Sequence, residues 1–155
     1  MGVPPANFIS IEDLDTIITQ LKPVYDIIYF RPDSSSKNYY TDCNELQSFD
    51  DYKMIKEKHP SVICARDYSY DFNILQFCLE STADKHIAVA GGNACVSAYF
   101  GGEVIIFQTA AGPNPTDEFR PIWLTDSWLG KLSNAKITGF LDGKNMVSYI
   151  KANWL

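Results

Sequence analysis

The chain has 155 residues, 46% of them hydrophobic, enough to bury one real core and too few for two ordinary domains, so one domain over residues 1–155 is expected. A formal net charge of −6, with no run of Lys and Arg long enough to follow a nucleic-acid backbone, argues against nucleic acid as a partner. The four cysteines, Cys43, Cys64, Cys78 and Cys95, form no C-x-x-C and read as reduced; no stretch is apolar enough to span a bilayer.

Along the chain, "SIEDLDTIITQLK" places Ser10 as an N-cap with Asp13 three residues on, and Leu14, Ile17, Ile18 and Leu21 at helical spacing. Pro23 stops this helix. "YDIIYF" follows as a short β-branched and aromatic run, the pattern of a buried strand, and "RPDSSSKNYYTDCNE" as a polar loop. "FDDYKMIKEKHP" reads as a helix ended before Pro60, "SVICA" as a strand, "DFNILQFCLEST" as a helix and "HIAVA" as a strand. "NACVSAYF" is then helix, "EVIIF" strand, "RPIWLTDSWLGKL" helix, "AKITGFL" strand and "DGKNMVSYIKANWL" a closing helix capped by Asp142.

Strands alternating with helices at this spacing imply parallel βαβ units. The expected fold is α/β: a Rossmann-like, doubly wound, mainly parallel sheet of five strands with helices on both faces. Ligands of such sheets lie beyond the carboxyl ends of the strands, so residues just after strands are the informative ones. Three places qualify: Arg31 after the first strand, Arg66 after the second, and Gly91, Gly92 and Asn93 after the third.

A helix begun through Gly91, Gly92 and Asn93 offers unpaired backbone N–H groups at its positive end, with no side chain to keep a phosphate away. Arg31 and Arg66 can add guanidinium forks, and together these residues form a candidate diphosphate site. The plainer alternative pairs the arginines with carboxylates such as Asp33 or Asp67. A valine at Gly92 is expected to crowd the phosphate and to strain a turn of positive φ. The glycine spacing is neither G-x-G-x-x-G after the first strand nor G-x-x-x-x-G-K-[ST], which argues against NAD, FAD and P-loop chemistry. Ser97 and Cys95 lie inside the helix after the turn, His86 reads as a packing residue, and no His, Cys and carboxylate set has zinc-ligand spacing, so no structural metal is expected.

The segment "HPSVICARDYSYDFNILQFCLESTADKHIAVAGGNACVSAYFGGEVIIF" resembles the carboxy-terminal half of GT-B glycosyltransferases, in particular those of microbial and viral surface-glycan synthesis. The resemblance rests on Asn73, Gln76, Gly91, Gly92, Asn93, Tyr99, Phe100, Gly101 and Gly102 and spans most of Tyr25 to Phe107. It implies a donor-binding domain for a nucleotide-diphosphate sugar, working without a metal or other cofactor and facing an acceptor-binding domain. Where the relatives carry a basic residue after the next strand, "QTAAGPNPTDEF" supplies none before Arg120. The group that would bond a ribose or sugar is then Asp117 or Glu118, and no catalytic residue is assigned.

Two functions follow. The first is the donor-binding part of a metal-independent glycosyltransferase acting on a glycan or polysaccharide, incomplete as an isolated chain. The second is a non-catalytic module derived from that fold, holding a nucleotide, a glycan or a protein. Implied partners are a nucleotide sugar and an acceptor-binding domain or subunit, or self-association through Trp123 and Trp128. The beginning "MGVPPANFIS" lacks the regions of a signal peptide, so the expected location is the cytoplasm, the host's if the protein is viral.

Overall fold

The computed structural model describes residues 8–31, 49–68, 71–108 and 128–155. In chain order these form α1 (Ile11–Leu21), β1 (Ile28–Tyr29), α2 (Asp51–Lys58), β2 (Ile63–Cys64), α3 (Phe72–Glu80), β3 (Lys85–Val89), α4 (Gly92–Phe100), β4 (Glu103–Phe107), α5 (Trp128–Ser133), β5 (Lys136–Phe140) and α6 (Gly143–Asn153), with a 3-10 turn at Ala65–Asp67. Among the described residues every strand pairing is parallel.

The protein is therefore α/β, but the strands do not make one five-stranded sheet. They form a pair, β1-β2, and a separate three-stranded sheet of order β3-β4-β5. The reason is local. Of the six residues in "YDIIYF" only Ile28 and Tyr29 pair, with Ile63 and Cys64. The partner run cannot extend this ladder, because Val62 N–H closes a turn onto His59 O at 3.0 Å and Ala65 already starts the 3-10 turn.

Two compact units divide the chain. The first holds Ser10–Gln76 and Val147–Leu155, the second Phe77–Met146.

In the first unit, α1 starts where Ser10 Oγ accepts Asp13 N–H at 3.0 Å, satisfying one of the amides that a helix leaves open. Its apolar stripe packs with α2 and the strand pair around Ile18, Met54, Ile55, Val62 and Cys64. A buried His59 ties the two helices. Lys22 Nζ donates to His59 Nδ1 at 3.3 Å, which fixes the proton on Nε2, and Nε2–H donates to Asp15 at 2.7 Å. Tyr25 O–H donates to the Trp154 carbonyl at 2.7 Å.

In the second unit, α4 and α5 pack on one face of the three-stranded sheet. Ala94 and Ala98 of α4 and Leu129 of α5 meet Val104, Ile106 and Ile137, and small side chains let helix and sheet approach closely. The alternating residue Ile105 is buried as well, so β4 is covered on both faces, which accounts for its uninterrupted apolar sequence. At the amino ends of the strands, Glu103 stands in register between Lys85 and Lys136 and bonds both, at 2.8 and 3.4 Å. Gly101 and Gly102 make the turn into β4 with φ of 89° and 77°, values that side chains rarely adopt. Asp142 caps α6 by accepting Asn145 N–H at 2.9 Å.

Candidate functional site

The second unit keeps Gly91, Gly92 and Asn93 together where β3 runs out. The ladder continues one residue past the strand, since Ala90 N–H donates to Phe107 O at 2.7 Å, and the chain then turns into α4. Gly91 is the N-cap and Gly92 the first helical residue, one position earlier than the sequence suggests, and the N-cap residue has no side chain with which to cap the helix. All three residues are exposed. The positive end of a helix, at the carboxyl edge of a parallel sheet, suits an anion.

The glycines of this turn differ from those at the other end of α4. Gly91 has φ 167°, extended backbone open to any residue, and neither it nor Gly92 has the positive φ expected from the sequence. That expectation is corrected: the left-handed positions are Gly101 and Gly102. A Cβ at Gly92 would meet no atom within 4 Å, and one at Gly91 would only touch Val89 O at 4.0 Å. Neither backbone conformation nor packing requires glycine at 91 or 92.

Gln108 was not singled out in the sequence. It directly follows β4, and its N–H donates to Phe140 O at 2.9 Å, so the sheet holds it in place. Its side-chain Oε1 is buried and accepts no hydrogen bond from the described residues.

Arg31 and Arg66 belong to the first unit. Each stands two residues past its strand, beyond the register partners Tyr29 and Cys64. Both are engaged by the first turn of α2. Arg31 forms an ion pair with the buried Asp51, donates to Phe49 O at 3.3 Å, and lies 5.3 Å from the centre of the Phe49 ring. The guanidinium of Arg66 covers the ring of Tyr52, the next residue, at 3.1 Å. Among the described residues a carboxylate that holds Arg31 is thus Asp51, which the sequence reading did not single out. Asp67, one of the carboxylates expected to hold an arginine, bonds Lys56 at 2.5 Å and Tyr52 at 2.6 Å. Asp33 lies outside the described residues.

Tyr29 O–H also donates to Asp51, so a carboxylate that is 1% exposed is shared between a phenol and a guanidinium. Burial first, and the neighbouring Asp51 charge second, push the Tyr29 hydroxyl far above its ordinary range and keep it a neutral donor. Burial likewise raises the thiols of Cys64 and Cys95, which makes both poor nucleophiles.

Asp117, Glu118, Trp123 and the side chain of Trp128 lie outside the described part of the structure. Among the described residues no three His, Cys, Asp or Glu gather as metal ligands, and no helix is long and apolar enough to cross a membrane. Comparison with protein-family models gives no match, and comparisons with curated proteins and with solved structures give none either.

Proposed function

We propose that the second unit binds the diphosphate of a nucleotide sugar at the Gly91–Gly92–Asn93 turn, and that the chain is the donor-binding part of a metal-independent glycosyltransferase acting on a glycan or polysaccharide. One observation carries the reading: two exposed glycines, needed neither for φ nor for packing among the described residues, put no side chain of their own at the start of α4. An amide cluster without side chains is what a diphosphate needs in a protein whose net charge of −6 repels anions at long range. The sugar-nucleotide and transferase parts come from the resemblance over Tyr25 to Phe107. The parallel βαβ units support a Rossmann-like architecture, of which they are the building block. Arg31 and Arg66, the other residues expected at a diphosphate, stand in the first unit and already have protein partners.

Thermal-shift screening against UDP-, GDP-, dTDP- and CMP-sugars tests the reading. A saturable rise in melting temperature with one nucleotide class supports it, and no shift with any of them, confirmed by calorimetry, removes it.

A second reading, a non-catalytic binding module, is favoured by a different feature of the same unit. Phe77, Tyr99 and Phe100 pack edge to face, with ring centres 6.3 and 5.5 Å apart, and all three are exposed, Tyr99 to 72%. Exposed rings of this kind suit a sugar face or a protein partner. Binding of a glycan or protein that survives Gly92→Val and is lost in Tyr99→Ser would favour it.

A further inference from the structure

In the first unit an imidazole stands among three charged side chains. Lys22 is the C-cap of α1 and keeps helical backbone, with φ −57° and ψ −22°, so it falls on the same face as Asp15, about two turns earlier. His59 ends α2 and turns a ring that is 3% exposed onto that face. Its Nδ1 accepts from Lys22 Nζ at 3.3 Å and its Nε2–H donates to Asp15 at 2.7 Å, while Lys58 bonds the other oxygen of Asp15 at 2.6 Å. Among the described residues, Asp15 and Lys22 are the charged groups that α1 presents to the ring, and Lys58 is the one that its own helix brings to the cluster. Pro60, Ser61 and Val62, which follow His59, carry no titratable side chain.

We infer that His59 is a pH-sensitive latch at the carboxyl end of α1: the neutral ring holds Lys22, and the protonated ring releases it. The inference concerns the first unit and does not rest on the diphosphate reading. Nδ1 can accept from an ammonium only while it carries no proton, so the bond to Lys22 belongs to the neutral ring. Histidine is the side chain that ordinarily changes charge between about pH 5 and 8. A proton on Nδ1 removes the acceptor and sets a positive ring against the ammonium. Asp15 does not follow this change. Its bonds to Lys58 and to His59 hold its carboxyl below the usual carboxylate value, so it stays charged and retains the protonated ring through Nε2–H. Acid therefore strengthens one side of the ring and opens the other. The turn beyond the helix remains tied, since Val24 N–H and Tyr25 N–H both reach Leu21 O at 2.9 Å. What moves is the exposed Lys22 side chain, and with it a positive charge.

Nitrogen NMR of the full chain with labelled histidine reads which ring atom carries the proton, and His86→Gln assigns the signals, because the chain has two histidines. Near pH 8 His59 should carry its proton on Nε2 and show a hydrogen-bonded Nδ1; near pH 5 both nitrogens should be protonated. Urea unfolding of the wild type and Lys22→Met supplies a second readout, since methionine keeps much of the stem and removes the ammonium. Near pH 8 the substitution should shift the folding equilibrium about twofold to fivefold toward the unfolded chain, the worth of a partly exposed hydrogen bond. Near pH 5 that cost should vanish or reverse, because the ammonium then faces a like charge. A proton on Nδ1 near pH 8, or a folded protein whose ring is still neutral near pH 5, overturns the latch. A Lys22→Met cost that is equal at both pH values, or absent near pH 8, overturns it as well.

Discussion

Gly102 lies so close to Asp84 that a Cβ on it would overlap the Asp84 carbonyl oxygen and sit 3.0 Å from the carbonyl carbon. The same carbonyl accepts Glu103 N–H at 2.9 Å, so it cannot retreat without giving up a bond beside the ladder. With φ at 77° as well, Gly102→Ala should cost about 2 kcal/mol or more, read as a lower midpoint in urea unfolding. A midpoint equal to that of the wild type would contradict the turn geometry.

The glycines before α4 should behave in the opposite way. Gly92 occupies the first helical position with nothing within 4 Å of a Cβ, so alanine there removes unfolded-state freedom without strain. Gly92→Ala should leave stability unchanged or raise it by about 0.4 to 1 kcal/mol. A clear destabilisation would mean that the fold itself needs this glycine, and its absence of a side chain would then say nothing about a ligand.

Asp51 should be among the most sensitive polar positions of the first unit. Removing a buried carboxylate that compensates both a guanidinium and a phenol leaves those two groups to find other partners, and losses of about 3 to 5 kcal/mol are typical for broken buried pairs. Asp51→Ala should therefore approach unfolding. Tyr29→Phe, which removes one donor and keeps the ring, should cost about 1 to 2 kcal/mol. Equal small effects in both variants would contradict the shared-carboxylate geometry.

His86 gives a pH signature. Burial is the main cause that holds its imidazole below the ordinary value of 6.5, and the nearby Glu80 charge and the bond to Ala83 O oppose it. The unfolded chain then binds the proton more readily than the folded one. The contribution of His86 is present above pH 6.5 and is lost as pH falls through its lower folded value. Stability measured from pH 7.5 to 5 should decline more steeply in the wild type than in His86→Gln. Parallel curves would show that the imidazole titrates alike in both states.

Much of the local structure was legible in the sequence because its causes are local. Ser10 and Asp142 cap their helices as read, and "EVIIF" is the doubly buried strand that its unbroken apolar run announces. The lengths of β1 and β2 were not legible, since an apolar run reports burial and says nothing of how far a partner follows it. Asp51 was hidden for a related reason. "FDDYK" shows two carboxylates at a helix start, and only the fold decides that Asp51 turns inward to Tyr29 and Arg31, residues more than 19 positions away in the chain. One signal was available: a tyrosine in an otherwise apolar strand brings a hydroxyl that must find a partner.

The central claim is that the start of α4 holds a diphosphate, and calorimetry of Gly92→Val against the wild type tests it most directly. Valine is accommodated by the fold, where a Cβ meets nothing within 4 Å, but it places two methyl groups beside the exposed amides. With a nucleoside diphosphate of the class found by screening and its parent nucleoside as paired ligands, the account predicts that the variant melts as the wild type does. The diphosphate should lose about tenfold or more in affinity, the equivalent of one or two charge-assisted hydrogen bonds, and the nucleoside much less. Unchanged diphosphate affinity in a folded Gly92→Val protein would contradict the account and leave the two glycines as ordinary turn residues.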